Sequence, residues 1–148
     1  MSPTGGRNNT IQNFRFRVEI DGIIQAGFSE VIMPDVKVET IEYREGTEPT
    51  HFRKLSGLTK YGNIVLKWGI TDNMELYNWL ESVKNIGASG NRKNMAIILA
   101  DDQGNNRMQW NIIQAWPVNY RITNLNAQTS EIAIEMIEVA FIDFNRAS

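Results

Sequence analysis

The chain has no cysteine, and among its 148 residues it has one histidine, four prolines and no long apolar run. Without thiols there is no disulfide, no thiolate nucleophile and no cysteine-ligated metal. With His51 alone, neither a histidine pair for a metal nor a cysteine–histidine dyad can form within one chain, so His51 reads as a loop residue. No stretch approaches the roughly 18 apolar residues of a membrane-spanning helix. The opening MSPTGGRNNT lacks the apolar core of a secretory signal. Fifteen Lys and Arg stand against seventeen Asp and Glu. That is a mixed, solvated surface, not the basic footprint of a duplex nucleic-acid binder.

What is present is a pattern of short alternating segments. Residues 1–12 are small and polar and are expected to form a flexible arm, with one domain over 13–148. Phe14, Phe16, Val18 and Ile20 alternate with Arg15, Arg17 and Glu19, the period of a half-buried strand. Asp21-Gly22 suits a tight hairpin turn, predicting an antiparallel return through Ile23 to Met33 with a bulge at Gly27. Val36 and Val38 alternate, then the apolar phase slips to Ile41 and Tyr43, predicting a bulge near Thr40. Ile64, Leu66 and Trp68 mark another strand.

One helix is predicted over about 73–86. Asp72 is the expected N-cap with Glu75 completing a capping box, Leu76, Leu80 and Val83 form the stripe, and Gly87 ends it. Met95 to Ala100 and Arg107 to Trp116 read as strands joined by the turn-rich Asp101 to Asn106. Pro117 is expected to interrupt, before a further strand through Val118, Tyr120 and Ile122. Glu131 to Phe144 fits helix or strand by periodicity, and its Ile, Val and Phe content favours strand. The sum is a mainly β fold, a small antiparallel β-barrel or sandwich with one flanking α-helix.

No catalytic constellation emerges. The loop Gly87 to Asn94 lacks the Gly-Lys-Ser/Thr ending of a phosphate loop. The turn Asp101 to Asn106 lacks the bidentate glutamate and spacing of a calcium loop. Glu135 and Glu138 read as the solvated face of a strand, and the four tryptophans read as core. No cofactor is expected, and the chain is expected not to be an enzyme.

The segment with most character is EGTEPTHFRKLSGLTKYG, Glu45 to Gly62. It is too long for an ordinary connection and is punctuated by Phe52, Leu55, Leu58 and Tyr61. Disordered segments lack such anchors, so it reads as a docking loop over 44–63.

The run Tyr43 to Asp72 resembles the signature of the phage tail tube protein family. Arg44-Glu45-Gly46-Thr47, Pro49, Arg53-Lys54-Leu55, Gly57 to Ile64 and Leu66-Lys67 match the family's pattern. The opening strand Asn13 to Val31 and the closing segment Glu138 to Phe144 extend the resemblance. Ser56 stands where proline is frequent. Trp68 stands where a basic residue is common, and is expected to add an apolar patch beside the loop.

The resemblance implies a barrel with a helix at its side, similar to the tube protein of the type VI secretion system. It implies a homo-hexameric ring that stacks into a hollow tube, driven through an envelope by sheath contraction and conducting effectors or DNA. Implied partners are the sheath protein, baseplate or tube-initiator proteins and a tube terminator. Assembly in the bacterial cytoplasm into a phage tail or an injection-system particle follows, with no membrane insertion of its own. The loop residues Arg44, Glu45, His51, Phe52, Arg53, Lys54, Leu55, Leu58, Lys60 and Tyr61 become the expected subunit interface. Arg15, Arg17, Glu19, Lys37 and Glu39 become lumen candidates. The alternatives are a tube-initiator or minor tube paralogue, or a monomeric carbohydrate- or protein-binding β-domain.

Overall fold

Nine strands and one helix form a computed structural model that describes residues 11, 13–23, 27–43, 46, 53–128 and 132–147. The strands are β1 (Arg15–Ile20), β2 (Phe28–Ile32), β3 (Val36–Tyr43), β4 (Arg53–Tyr61) and β5 (Ile64–Gly69), followed by α1 (Glu75–Ile86). β6 (Lys93–Ala100), β7 (Asn106–Ile122), β8 (Ile134–Ala140) and β9 (Asp143–Arg146) complete the chain. The segment that periodicity left open between helix and strand is β8 and β9.

Seven strands pair antiparallel in the order β1-β6-β7-β8-β5-β2, with β9 on β7. β1 and β2 are the two ends of this path, so the sheet folds over as a sandwich and does not close into a barrel. The fold-over is made by β7, a single strand of 17 residues. Its first half pairs with β6 and β9, its second half with β8. Pro117 therefore does not interrupt the strand. It sits where the β7–β8 register shifts, a place where a missing N–H is tolerated. Just before it, Gln114 takes a left-handed φ of 56°, and its N–H donates to Asn94 Oδ1 at 3.0 Å.

The Asp21-Gly22 turn forms, but the strand after it does not return along β1. β1 pairs with β6, and β2 crosses to pair with β5, leaving one isolated bridge between Ile20 and Ile23. Residues 24–26, part of the predicted return, lie outside the described residues. The inner faces follow the alternation in the sequence: Val18 and Ile20 on β1, Ile64, Leu66 and Trp68 on β5, Ile137 and Val139 on β8. Trp68 is thus core, 3% exposed and edge-to-face with Phe28 at 6.0 Å, and adds no surface patch.

The helix buries Leu76 and Trp79 against this core, with Leu80 and Val83 partly covered. Its start is held by Asn73, whose Oδ1 accepts from the Glu75 N–H at 2.9 Å, and not by Asp72. Met74 is the N-cap residue and makes no side-chain cap. Gly87, at φ 100°, ends the helix with its N–H on the Val83 carbonyl. Trp79 donates its indole N–H to the Asn91 carbonyl at 2.7 Å, fastening the loop that leads to β6.

Candidate assembly interface

Within the segment expected as a docking loop, Arg53–Tyr61 is a strand. β4 pairs antiparallel with β3 from Val36↔Tyr61 to Tyr43↔Arg53, making a separate two-stranded sheet. The register shifts between Val38 and Thr40, where the sequence predicts a bulge. Residues directly opposite in an antiparallel pair share a face, and faces alternate along each strand. The bulge re-phases β3, so that Val36, Val38, Ile41 and Tyr43 all fall on the face of Leu55 and Tyr61. Gly57 lies opposite the bulge on that same face. A Cβ there would meet Ile41 Cγ1 at 3.1 Å and the Glu39 carbonyl oxygen at 3.3 Å, so glycine permits the close approach.

The hairpin is therefore amphipathic. One face carries Val36, Val38, Ile41 and Leu55, each 50–55% exposed. The other carries Lys37, Glu42, Lys54, Ser56 and Lys60, with Leu58 alone among them at 72% exposed. Lys60 pairs with Glu39. Neither strand pairs through its backbone with any other strand among the described residues.

The root of the hairpin is fixed. The Gly62 N–H donates to the Asp35 carbonyl at 2.9 Å. Tyr61 packs its ring 5.3 Å from Phe141 and donates its hydroxyl to Asp143 Oδ1 at 2.8 Å. That hydrogen bond to a carboxylate raises the Tyr61 pKa. Tyr61 thus anchors the hairpin in its own domain, whereas Lys54, Leu55, Leu58 and Lys60 face outward. Arg53 contributes backbone pairing to Tyr43. Arg44, Glu45, His51 and Phe52 lie outside the described residues, as does the arm before Ile11.

The lumen candidates fall on two separate sheets. Arg15, Arg17 and Glu19 are exposed on the free-edge strand β1, where Arg17 donates to Glu19 and to Asn106 Oδ1, both at 3.2 Å. Lys37 and Glu39 stand on the hairpin.

One surface was not legible as a site. β5 runs from the hairpin root at Ile64 to Gly69 at the far end, where β8 begins (Gly69↔Ile134) and β7 ends (Ile122↔Glu135). At that far pole Ile70, Met74, Ile122, Leu125 and Ile132 are exposed together. They come from three separate stretches of sequence, 70–74, 122–125 and 132, which the strand register brings to one end. Beside them Tyr120 donates to Glu135 Oε2 at 2.6 Å and packs edge-on to Tyr77. Burial, then the neighbouring carboxylate, push the Tyr120 hydroxyl up to about 12.

The family model described as T4-like virus tail tube protein gp19 matches residues 12–145. Among solved structures, a chain of the extracellular contractile injection system structure described as PVC sheath/tube terminator in extended state is 27% identical, with a TM-score of 0.80 over 95% of this chain and 99% of that one. A chain of the anti-feeding prophage cap structure (AFP tube terminating cap) is 25% identical, with a TM-score of 0.80 over 100% and 99%. Hcp1 from Flavobacterium johnsoniae shares the fold at 16% identity, with a TM-score of 0.60 over 89% and 94%. No curated protein matches.

Proposed function

Because this chain belongs to the T4-like virus tail tube protein gp19 family, and so is a structural subunit of an inner tube, we propose that six copies close into a ring and that rings stack into a hollow conduit. A contracting sheath around that conduit drives it through a target envelope, and effectors or DNA pass through its lumen. The sheath, a tube terminator and baseplate proteins are its partners, by likeness to the assemblies in which the relatives occur. The role is mechanical, and no catalytic step is assigned to it.

The observation that carries this reading is the β3–β4 hairpin. A two-stranded hairpin on its own is marginal in water, and an apolar face needs cover. This hairpin has an apolar face that its own sheet leaves half exposed. A neighbouring subunit supplies the cover. The edge strands β1, β2 and β9, each with one partner among the described residues, suit the same purpose, since an unpaired edge is completed by a strand from the next copy.

Negative-stain microscopy of the full chain at high concentration, with and without a tube initiator, is expected to show rings or tubes. Monomers under both conditions would overturn the reading. Leu55→Asp is expected to leave the monomer folded, by circular dichroism, and to abolish tube growth. Unfolding of that variant would show instead that the hairpin packs on its own domain.

A further inference from the structure

A tube subunit meets the protein that encloses the tube as well as copies of itself. Resting on the tube reading, we infer that the polar cleft between α1 and the loop 87–93 takes an acidic segment of the sheath, with Arg92 and Lys93 as its cationic contacts.

The cleft is assembled from three separate stretches of sequence and holds about 320 Å³. Glu75, Asn78 and Ser82 lie three and four residues apart and so share one face of α1, which forms one wall. Gly90, Arg92 and Lys93 form the other, and the turn at Gly22 completes it. The two glycines, at φ 83° and 72°, leave bare backbone in the lining. The walls are braced before any partner arrives. Trp79 ties α1 to the Asn91 carbonyl, and Asn91 Nδ2 donates back to the Gly87 carbonyl at 2.8 Å. A site held in shape in this way loses less ordering entropy on binding.

The chemistry of the cleft asks for an anion. Glu75 is the one carboxylate among its lining residues, against two cations. Lys93 is half-buried, with its ammonium 3.4 Å from where a Cβ on Gly22 would stand. Among the described residues it has no ion-pair partner. Arg92 lays its guanidinium over the Trp116 ring at 4.5 Å, which occupies its face and leaves its N–H edge for an acceptor. A cation withdrawn from water is favourable only when it is paired, and here the pairing group comes from outside the chain. Carboxylates of a partner segment fit this demand, and the Asn78 carboxamide adds a donor beside them.

The position of the cleft selects the sheath as that partner. The layer of β2, β5, β8 and the second half of β7 carries a depression of about 220 Å³ on its outer face, lined from all four strands by Ile32, Val65, Lys67, Arg121, Met136 and Glu138. A sheet that closes round a bore is concave toward it. α1 lies on the opposite side of this layer, where Tyr77 packs on Tyr120 and Leu76 and Trp79 enter the core. The cleft beside α1 therefore faces away from the bore, toward whatever surrounds the tube.

The absence of native cysteine allows one label per chain. Ser89, exposed beside the cleft and outside its lining, is the position to label. Ser89→Cys carrying a benzophenone-maleimide is assembled with the sheath protein into extended particles and irradiated, and the cross-linked peptides are identified by mass spectrometry. An adduct on a segment of the sheath rich in Asp and Glu is expected. An adduct on a second copy of this chain, on cargo, or on a sheath segment without acidic residues would overturn the proposal. Tubes that form and leave the label unreacted would remove this inference alone, whereas no tube from the unsubstituted chain would remove the tube reading with it.

Lys93→Glu tests the charge. Tubes should form and circular dichroism should not change, while the sheath that sediments with them falls about tenfold. Undiminished sheath on those tubes would overturn the role of Lys93. If that variant fails to fold, Asn78→Trp fills the cleft from an exposed helix position at constant charge, and the same loss is expected. Full retention of sheath by Asn78→Trp tubes would count against the cleft.

Discussion

Tyr120 is one of four tyrosines, and its setting makes it the one to follow by titration. Burial and the Glu135 carboxylate hold its hydroxyl at about 12, against an ordinary 10.0. A group raised in the folded state contributes stability fully below its unfolded pKa and loses it as pH rises through the folded value. Ultraviolet titration of the native chain should therefore show a tyrosine component ionising near pH 12 and coinciding with weakened folding. Tyr120→Phe should remove that component. Ionisation of every tyrosine near pH 10 would contradict the geometry. At this scale the sequence was readable where alternation set the inward residues: Val18, Ile20, Ile64 and Leu66 are all core. Trp68 obeys the same alternation. Its expected surface role came from comparing it with a basic residue, and the strand phase that puts it inside was already present in Ile64 and Leu66.

Among the elements, the hairpin is held together by a compensation between two residues, the bulge at Thr40 and the glycine opposite it. Gly57→Val would drive a side chain into Ile41 and the Glu39 carbonyl. Overpacking of this kind costs about 1–3 kcal/mol, roughly a 5- to 150-fold drop in the correctly formed hairpin. Tube yield should fall accordingly while the thermal midpoint of the monomer hardly moves, because the core lies elsewhere. A matching loss in that midpoint would refute the separation. The phase slip in β3 was readable from Val38 to Ile41. β4 was not, since its apolar face includes Gly57 and Thr59, and Leu58 falls on the charged side. A strand of that composition exists because β3 pairs with it, and pairing partners lie beyond local pattern. The helix was legible in its stripe and its terminal glycine, but the N-cap position falls on Met74, and Asn73, not Asp72, accepts from the first-turn N–H of Glu75. Proline at 117 misled for a physical reason: it lies at a register shift, where the ladder does not require its hydrogen.

For the molecule as a whole, a sandwich with a separate hairpin predicts two tiers of stability. Amides of β5 and β8 lie in the buried sheet, whereas β3 and β4 have only each other. Hydrogen exchange on the monomer should show the hairpin exchanging orders of magnitude faster than β5 and β8, by opening locally. In tubes that gap should close. Equal protection in the monomer would mean that the hairpin is part of the domain's cooperative unit. The mainly β class and the single helix were legible from periodicity. The open edges were not, because whether β1 meets β2 depends on the route of β7 through both layers, which no local window contains.

That route has a mechanical meaning. β7 has a contour length of about 55 Å at the usual rise per strand residue, bends where it passes from one layer to the other, and belongs to both layers at once. A thrust directed along the strands enters β7 lengthwise, so its flanking hydrogen bonds share the load in shear and do not peel one at a time. Sliding one layer of the sandwich past the other would bend the shared strand β7 and break hydrogen bonds on its flanks. A subunit made to be pushed end-on would gain from having its longest strand serve as the strut between its two layers.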